Sequence, residues 1–200
     1  MTRPVEAEDL IAEMRACRIC ATAPNPLPHE PRPVFQLNPE ARILVCGQAP
    51  GNLVNQTGRP FTDPSGERLR DWMGIGSDVF YDDTQLAILP MGFCFPGYTA
   101  KGADKPPRKE CAPAWRKQAL TILPQIQLTL LIGGYAQKWH LEDRFAGKVT
   151  ETVENWRDFA PDVFVLPHPS WRNNAWIKRH EWFEDELIPE LRRCVRMALS

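Results

Sequence analysis

The chain has 200 residues, of which 43% are hydrophobic and 24% charged, and its formal net charge is −1. This length can bury one sizeable core, so we expect a single domain over residues 1–200. The balanced charge excludes a strongly basic protein, so any binding of nucleic acid would depend on a local patch of cations. The sequence has no apolar run of membrane-spanning length, and residues 1–6 lack the charged-then-apolar pattern of a signal peptide. We therefore expect a cytoplasmic protein.

Helix and strand patterns alternate along the chain. Leu10, Ile11 and Met14 recur at helical spacing and predict a helix over residues 6–17. A proline-rich stretch over 24–33 then excludes regular structure, because proline lacks an amide donor and restricts the residue before it. The later patterns predict strands over 41–46, 86–89, 128–132 and 163–166, and helices over 65–73 (with Ser65 as N-cap), 110–123, 135–141 and 182–199.

The predicted strands are short, continuous apolar runs. Such strands alternating with helices are typical of a parallel sheet that is covered by helices on both faces. The ligand crevice of this kind of sheet lies beyond the carboxyl ends of its strands. We therefore expect a binding site among the loops 47–51, 90–93, 133–135 and 167–170.

The chain contains six cysteines. The cytoplasm keeps thiols reduced, which leaves metal ligation, catalysis or burial as their interpretations. Cys17 and Cys20 form a C-x-x-C pair, which by itself is compatible with zinc binding or with no ligand. Cys94 and Cys111 flank a long loop rich in glycine, proline and lysine. The cysteines that we interpret as core residues are Cys46 and Cys194.

Three short motifs lie in the loop regions. Residues 47–51 read Gly-Gln-Ala-Pro-Gly, which offers backbone amides to a flat or anionic ligand but lacks the spacing of a dinucleotide fingerprint. Residues 57–61 read Thr-Gly-Arg-Pro-Phe. His168 stands between two prolines after a strand, so a stiff backbone holds its ring at the mouth of the sheet. Taken singly, these motifs are also compatible with a plain turn and a structural histidine.

The order of these motifs resembles the uracil-DNA glycosylase superfamily, specifically its bacterial iron-sulfur branches. The likeness runs from Cys17 to the last predicted helix. It implies a three-layer α/β/α sandwich with a central four-stranded parallel sheet. It also implies a monofunctional DNA glycosylase of base excision repair, which hydrolyses the N-glycosidic bond of uracil or another deaminated base. The implied partner is DNA containing a damaged base, and we expect a monomer.

The resemblance assigns a ligand set to four of the cysteines. In the iron-sulfur branches a C-x-x-C pair at the end of the first helix joins two later cysteines that flank a loop. Their thiolates hold a [4Fe-4S] cluster, which we expect to be structural and to colour the protein brown. The corresponding residues here are Cys17, Cys20, Cys94 and Cys111.

The resemblance also implies roles in base excision, which requires the base to leave the stack. His168 is expected to donate a hydrogen bond to the base carbonyl oxygen as negative charge develops there. Phe61 is expected to stack on the base, unless its ring belongs only to the core. The substrate-binding residues expected from the motifs are Gly47, Ala49, Pro50, Gly51, Phe61 and Ser170.

The first loop departs from the family pattern. Related enzymes often carry an acid or an asparagine where this chain has Gln48 and Ala49. A further branch places its acid just after the phenylalanine, so we expect Asp63 to face the positively charged sugar. The alternative role of Asp63 is to cap the following helix, and in that case Gln48 is expected to hold the attacking water.

A second departure concerns recognition of the base edge. Relatives that read uracil usually carry an asparagine where residues 89–93 offer only apolar side chains, which leaves the identity of the excised base open. The candidate replacements are the backbone groups of Met91 and Gly92 and the side chains of Asn55 and Asn173.

The candidates for DNA binding lie in two loops. In relatives the segment after His-Pro-Ser enters the minor groove, so Trp171 or Arg172 is expected to fill the gap left by the base. The alternative is that the lysines only solvate a loop and that Trp171 packs on the core. The cations of the loop between Cys94 and Cys111 are Lys101, Lys105, Arg108 and Lys109.

Two rival functions remain at this point. A chain that kept the fold and lost turnover would be a non-catalytic DNA- or nucleotide-binding member, which the two departures motivate. A small-molecule N-glycosidase acting on free nucleosides is the more remote alternative.

Overall fold

The computed structural model describes residues 4–200. Residues 1–3, which are part of the segment expected not to be a signal peptide, lie outside this range. Between residues 4 and 200, no helix combines the length and the apolar character needed to cross a membrane.

Four strands form the centre of the molecule: β1 (Ile43–Cys46), β2 (Leu86–Ile88), β3 (Leu128–Ile132) and β4 (Val163–Leu166). They make one parallel sheet in the order β2-β1-β3-β4. The strands are almost wholly buried, as their continuous apolar sequences predict. Because β2 and β3 lie on opposite sides of β1, the strand order reverses there, and a crevice opens beyond the carboxyl ends.

Helices connect and flank these strands. The predicted helices are present within a few residues of their predicted ends. Four further short helices are not predicted from the sequence, over residues 52–57, 77–80, 149–154 and 174–179. A π-helical segment, Phe183–Leu187, leads into the last helix. The helices are α1 (Pro4–Arg15), α2 (Asn52–Thr57), α3 (Pro64–Met73), α4 (Ser77–Phe80), α5 (Cys111–Thr121), α6 (Gly133–Leu141), α7 (Val149–Glu154), α8 (Asn174–Arg179) and α9 (Ile188–Leu199).

The helices cover both faces of the sheet and complete a three-layer α/β/α sandwich, which confirms the predicted fold class. α9 lies against β1 and β3 and packs on α3, while α1 packs on α5.

Arg116 of α5 is buried and donates to the carbonyl oxygens of Leu89 and Pro90, 3.1 Å from each. Burial and the adjacent Arg116 lower the pKa of His140 to about 3, so a neutral ring accepts from this cation at 2.7 Å. The contacts with Leu89 and Pro90 fix α5 to the segment that follows β2, and the contact with His140 links α5 to α6.

The start of α3 differs from the predicted start. Asp63, not Ser65, is the N-cap, and its Oδ1 accepts the amide N–H of Gly66 at 3.1 Å. Pro64 follows at the first helical position, where a fixed φ favours the helix and no amide donor is needed. Ser65 therefore lies inside the first turn, and its assignment as the cap is corrected.

The residue before this cap region has a constrained backbone. Phe61 has a φ of 53°, a left-handed conformation that is uncommon for an aromatic residue. Its carbonyl oxygen accepts hydrogen bonds from Arg70 at 3.2 Å and from the Tyr81 hydroxyl at 3.0 Å. A Cβ at position 66 would lie 1.8 Å from that same oxygen, so this close approach requires Gly66.

We expect Gly66→Ala to lower the free energy of unfolding by about 3 kcal/mol or more, because the added methyl group overlaps a carbonyl fixed by two hydrogen bonds. Urea unfolding measures the loss. Gly102→Ala is the matched control, since Gly102 also has a positive φ, of 76°, but its added Cβ would meet nothing within 4 Å. Its expected loss is only the left-handed backbone penalty, roughly 1–2 kcal/mol. Equal losses in the two variants would contradict the contact at Gly66.

Candidate active site

Two adjoining cavities open at the carboxyl ends of the strands. The first, here called the inner cavity, has a volume of about 540 Å³. The second, the outer cavity, has a volume of about 1180 Å³. The residues that characterise the inner cavity are 47–51, Phe61, Asp63, Asp104 and His168. Those that characterise the outer cavity are 133–134, Ser170, Arg172, Asn173 and Trp176.

Backbone hydrogen bonds hold the 47–51 loop against the segment after β2. The amides of Met91 and Gly92 donate to the carbonyl oxygens of Gly47 and Gln48, each at 2.9 Å. Gly47 faces the Phe61 ring, and a Cβ at Gly47 would lie 3.5 Å from that ring. The loop is therefore a fixed wall of the inner cavity, with the Phe61 ring beside it.

The amides of Met91 and Gly92 are thus occupied within the protein. Met91 is buried and lines a different cavity, beside Tyr135 and Trp139. Asn55 is not among the residues that line the inner or the outer cavity. Neither Met91 nor Asn55 lines the inner cavity, while Asn173 lines the outer cavity, and the expected roles of these residues in base recognition stay predictions.

His168 comes directly after β4 and lies where the two cavities meet. The side-chain amide of Asn173 donates to its carbonyl oxygen at 2.6 Å, so Asn173 fixes the backbone of the histidine. Burial lowers the pKa of His168, and the nearby carboxylates of Asp63 and Asp104 oppose that shift only in part. The ring is therefore neutral at physiological pH and offers one N–H as a donor.

Asp63 combines the two roles that the sequence left as alternatives. Its side chain caps α3, and the residue also lines the inner cavity. One oxygen is engaged by Gly66, which leaves the other free to face the cavity. The helix N-terminus favours a negative charge at this position.

Asp104 is a site residue that the sequence does not single out. A lone acid within a loop of lysine, glycine and proline has no periodicity or motif to mark it. The structure places Asp104 in the lining of both cavities. Asp104 is exposed as a residue, yet partial desolvation at the cavity wall raises the pKa of its carboxyl, and the nearby Arg172 and His168 oppose this rise.

The predicted DNA-binding residues divide into two groups. Lys101 and Lys105 are exposed, and Arg172 lines the outer cavity. Trp171 is 73% exposed, which excludes its packing on the core. Arg108 instead pairs with Glu110 at 3.2 Å and lines the cavity of the cysteines, so its side chain is not free on the surface.

The four predicted ligand cysteines line a third cavity, of about 340 Å³. Two of their sulfurs accept hydrogen bonds: the indole N–H of Trp115 donates to Cys17 at 3.2 Å, and the amide of Phe93 donates to Cys111 at 3.3 Å. Donors of this kind are typical of the thiolates that bind iron–sulfur clusters. The four residues are Cys17, Cys20, Cys94 and Cys111. The remaining two, Cys46 and Cys194, are buried in the core, as predicted.

The four cysteines share one cavity but are not arranged around a single metal ion. Across residues 4–200, no group of three or more His, Cys, Asp or Glu side chains is arranged to hold a metal ion. Burial raises the pKa of Cys94 and Cys111 to about 12, so a positively charged metal group would be needed to hold them as thiolates. Four sulfurs around a cavity, two of them with N–H donors, fit a cluster.

Comparisons with known proteins agree with this geometry. The family model described as the uracil DNA glycosylase superfamily matches residues 34–192, a range that includes β1, the inner cavity and the start of α9. A type-5 uracil-DNA glycosylase of Thermus thermophilus is 28% identical over 155 residues, which cover 66% of this chain and 70% of the relative. The chain belongs to the uracil-DNA glycosylase superfamily.

Proposed function

We propose that this protein is a DNA glycosylase that hydrolyses the N-glycosidic bond of uracil or another deaminated base in DNA. The observation that carries the proposal is the inner cavity, where an aromatic ring, a neutral histidine and a carboxylate meet from distant parts of the chain. A cavity with these groups in its wall suits a base that has been flipped out of the duplex. The three residues are Phe61, Asp63 and His168.

His168 acts on the leaving base. As the bond breaks, its electron pair leaves with the base, and negative charge develops on a base carbonyl oxygen. The N–H of the neutral imidazole donates a hydrogen bond to that oxygen, and Asn173 holds the histidine backbone in place. Removing one such preorganised donor from an enzyme typically costs about 10²–10³ in rate.

Asp63 opposes the positive charge that develops on the sugar. A carboxylate about 4 Å from a unit positive charge contributes roughly 4 kcal/mol at an effective dielectric near 20. Since about 1.4 kcal/mol is tenfold in rate, this is on the order of a thousandfold. Gln48 also borders the cavity and remains the candidate to position the water if Asp63 acts only as a cap.

The DNA strand would follow the outer cavity. Arg172 lines it, and the guanidinium lies 5.6 Å from the Trp171 ring centroid. An exposed aromatic ring beside a cation suits the gap left in a duplex by a flipped base. Lys101 and Lys105 add positive charge on the neighbouring loop.

We further propose one domain over residues 1–200, a monomer, a cytoplasmic location and base excision without strand cleavage.

Cys17, Cys20, Cys94 and Cys111 would hold a [4Fe-4S] cluster. When bound, such a group crosslinks four thiolates and supplies structural rigidity. Cys94 and Cys111 stand at the two ends of the loop that carries Asp104 to the site. Fixing both ends lowers the conformational freedom of this loop and so favours the position of Asp104.

A non-catalytic binding member is the second candidate. The apolar side chains of residues 89–93, which place no polar group against the base edge, favour it. An assay of base excision from lesion-containing oligonucleotides separates the two candidates.

We expect the purified protein to excise at least one of uracil, hypoxanthine and xanthine from oligonucleotides, measured by alkaline cleavage of the abasic sites. His168→Ala should lower that rate by about 10²–10³, because the leaving base loses its donor. His180→Ala is the control, since His180 is a half-buried histidine that lines neither cavity. Tight binding of a lesion without strand breaks would instead support the binding member.

Asp63→Asn and Asp63→Ala separate charge from capping. Asparagine caps helices about as well as aspartate, so Asp63→Asn should keep its stability and lose most turnover. Asp63→Ala should lose turnover and also about 1 kcal/mol of unfolding free energy. Thermal unfolding and single-turnover excision measure the two effects. Full activity in Asp63→Asn would move the role to another group, Gln48 first.

We expect anaerobically purified protein to be brown and to contain about four iron atoms per chain, as a [4Fe-4S] cluster requires. Cys94→Ser should lose the colour and the iron. Cys194→Ser should retain both, because Cys194 lies in the core away from this cavity. A colourless, iron-free wild-type protein would contradict the cluster.

A further inference from the structure

The inner and outer cavities share part of their walls. Only a few side chains line both, so these residues surround the passage from one cavity to the other. The shared lining residues are Gln48, Ala49, Asp104 and His168.

This passage marks the position of the scissile bond, if the proposed function holds. A flipped nucleotide places its base in the inner cavity, while its sugar and phosphates stay in the wider outer cavity beside Arg172. The bond that joins base to sugar must then cross the passage. The groups that border it are the ones that can act on C1′.

Asp104 is the one carboxylate among the four residues of this passage. Ala49 has no polar side chain, Gln48 is neutral, and His168 serves the leaving base. Asp63 lines the inner cavity alone, and one of its oxygens already accepts from Gly66. Asp104 therefore differs from Asp63 in both its position and its free acceptor capacity.

A hairpin holds Asp104 in this position. Within this hairpin, the amide of Lys105 donates to the carbonyl of Gly97 at 2.9 Å, and the amide of Thr99 donates to the carbonyl of Ala103 at 2.7 Å. On the cavity side, Asp104 Oδ2 lies 3.7 Å from the position that a Cβ at Gly51 would occupy. The carboxylate thus lies beside the first loop, at van der Waals distance from position 51.

We propose that Asp104 is the general base of the reaction, the group that accepts a proton from the attacking water. As the water oxygen bonds to C1′, the C1′–N bond breaks and its electron pair leaves with the base. The water proton passes to Asp104, and the base anion later takes up a proton from solvent. Asp63 then supplies a fixed negative charge rather than a proton acceptor.

The surroundings of Asp104 suit a base. Asp104 is exposed as a residue, but partial desolvation of its carboxyl at the cavity wall raises the pKa of that group, and the neighbouring negative charge of Asp63 adds to this rise. The positive charge of Arg172 and the nearby His168 oppose it. A higher pKa makes the carboxylate a better proton acceptor, and activity is lost as the pH falls through that raised value.

The first test compares single-turnover excision by wild type and Asp104→Asn across pH. We expect a loss of at least about a hundredfold, together with loss of the acid limb of the wild-type pH profile. A purely structural role for Asp104 would leave that limb in place. Asp143→Asn is the charge-matched control, because Asp143 is exposed and lines neither cavity.

The second test measures binding to DNA that carries a cationic pyrrolidine or a neutral tetrahydrofuran in place of the deoxyribose. Wild type should prefer the cationic sugar, and Asp104→Asn should lose at least about tenfold of that preference. Asp104→Asn with wild-type turnover, acid limb and preference would overturn this inference and leave the proposed function standing. A wild-type protein that excises no base would overturn both.

Discussion

The reversal of strand order at β1 is the constraint on which the rest of the structure depends. β2 and β3 lie on opposite sides of β1, so the loops that follow β1 and β3 diverge and leave a crevice between them. The loop after β4 reaches the same edge and brings His168 to it. Burial of the four strands on both faces fixes this edge, because a shift in register would expose apolar side chains or bury polar ones.

The inner cavity is shaped by backbone contacts more than by large side chains. The carbonyls of the 47–51 loop accept from the segment after β2, while Arg70 and Tyr81 hold Phe61 in a left-handed conformation. Such strain persists only where the surrounding structure over-determines it, and it is common at functional sites. Gly66 belongs to the same arrangement, since its missing side chain lets α3 begin directly beneath the Phe61 carbonyl.

The cysteine cavity and the active-site cavities are linked through one loop. Cys94 and Cys111 line the first, and the hairpin between them carries Asp104 into the others. The link gives a physical reason for the proposed cluster, which would fix both ends of this loop. The loop itself is rich in glycine and proline.

Local patterns in the sequence determined the strands, the main helices, the buried Cys46 and Cys194, and the resemblance carried by residues 47–51 and His168. Hydrophobic periodicity is a property of neighbouring residues, so it can be read from the chain without the fold. The tertiary structure decided what depends on distant segments. Asp104 entered the site through a hairpin, Arg108 turned toward the cysteines, and the amides of Met91 and Gly92 bound the first loop. The direction of a loop side chain follows from the surfaces against which the loop packs, and those surfaces come from residues far away in the sequence.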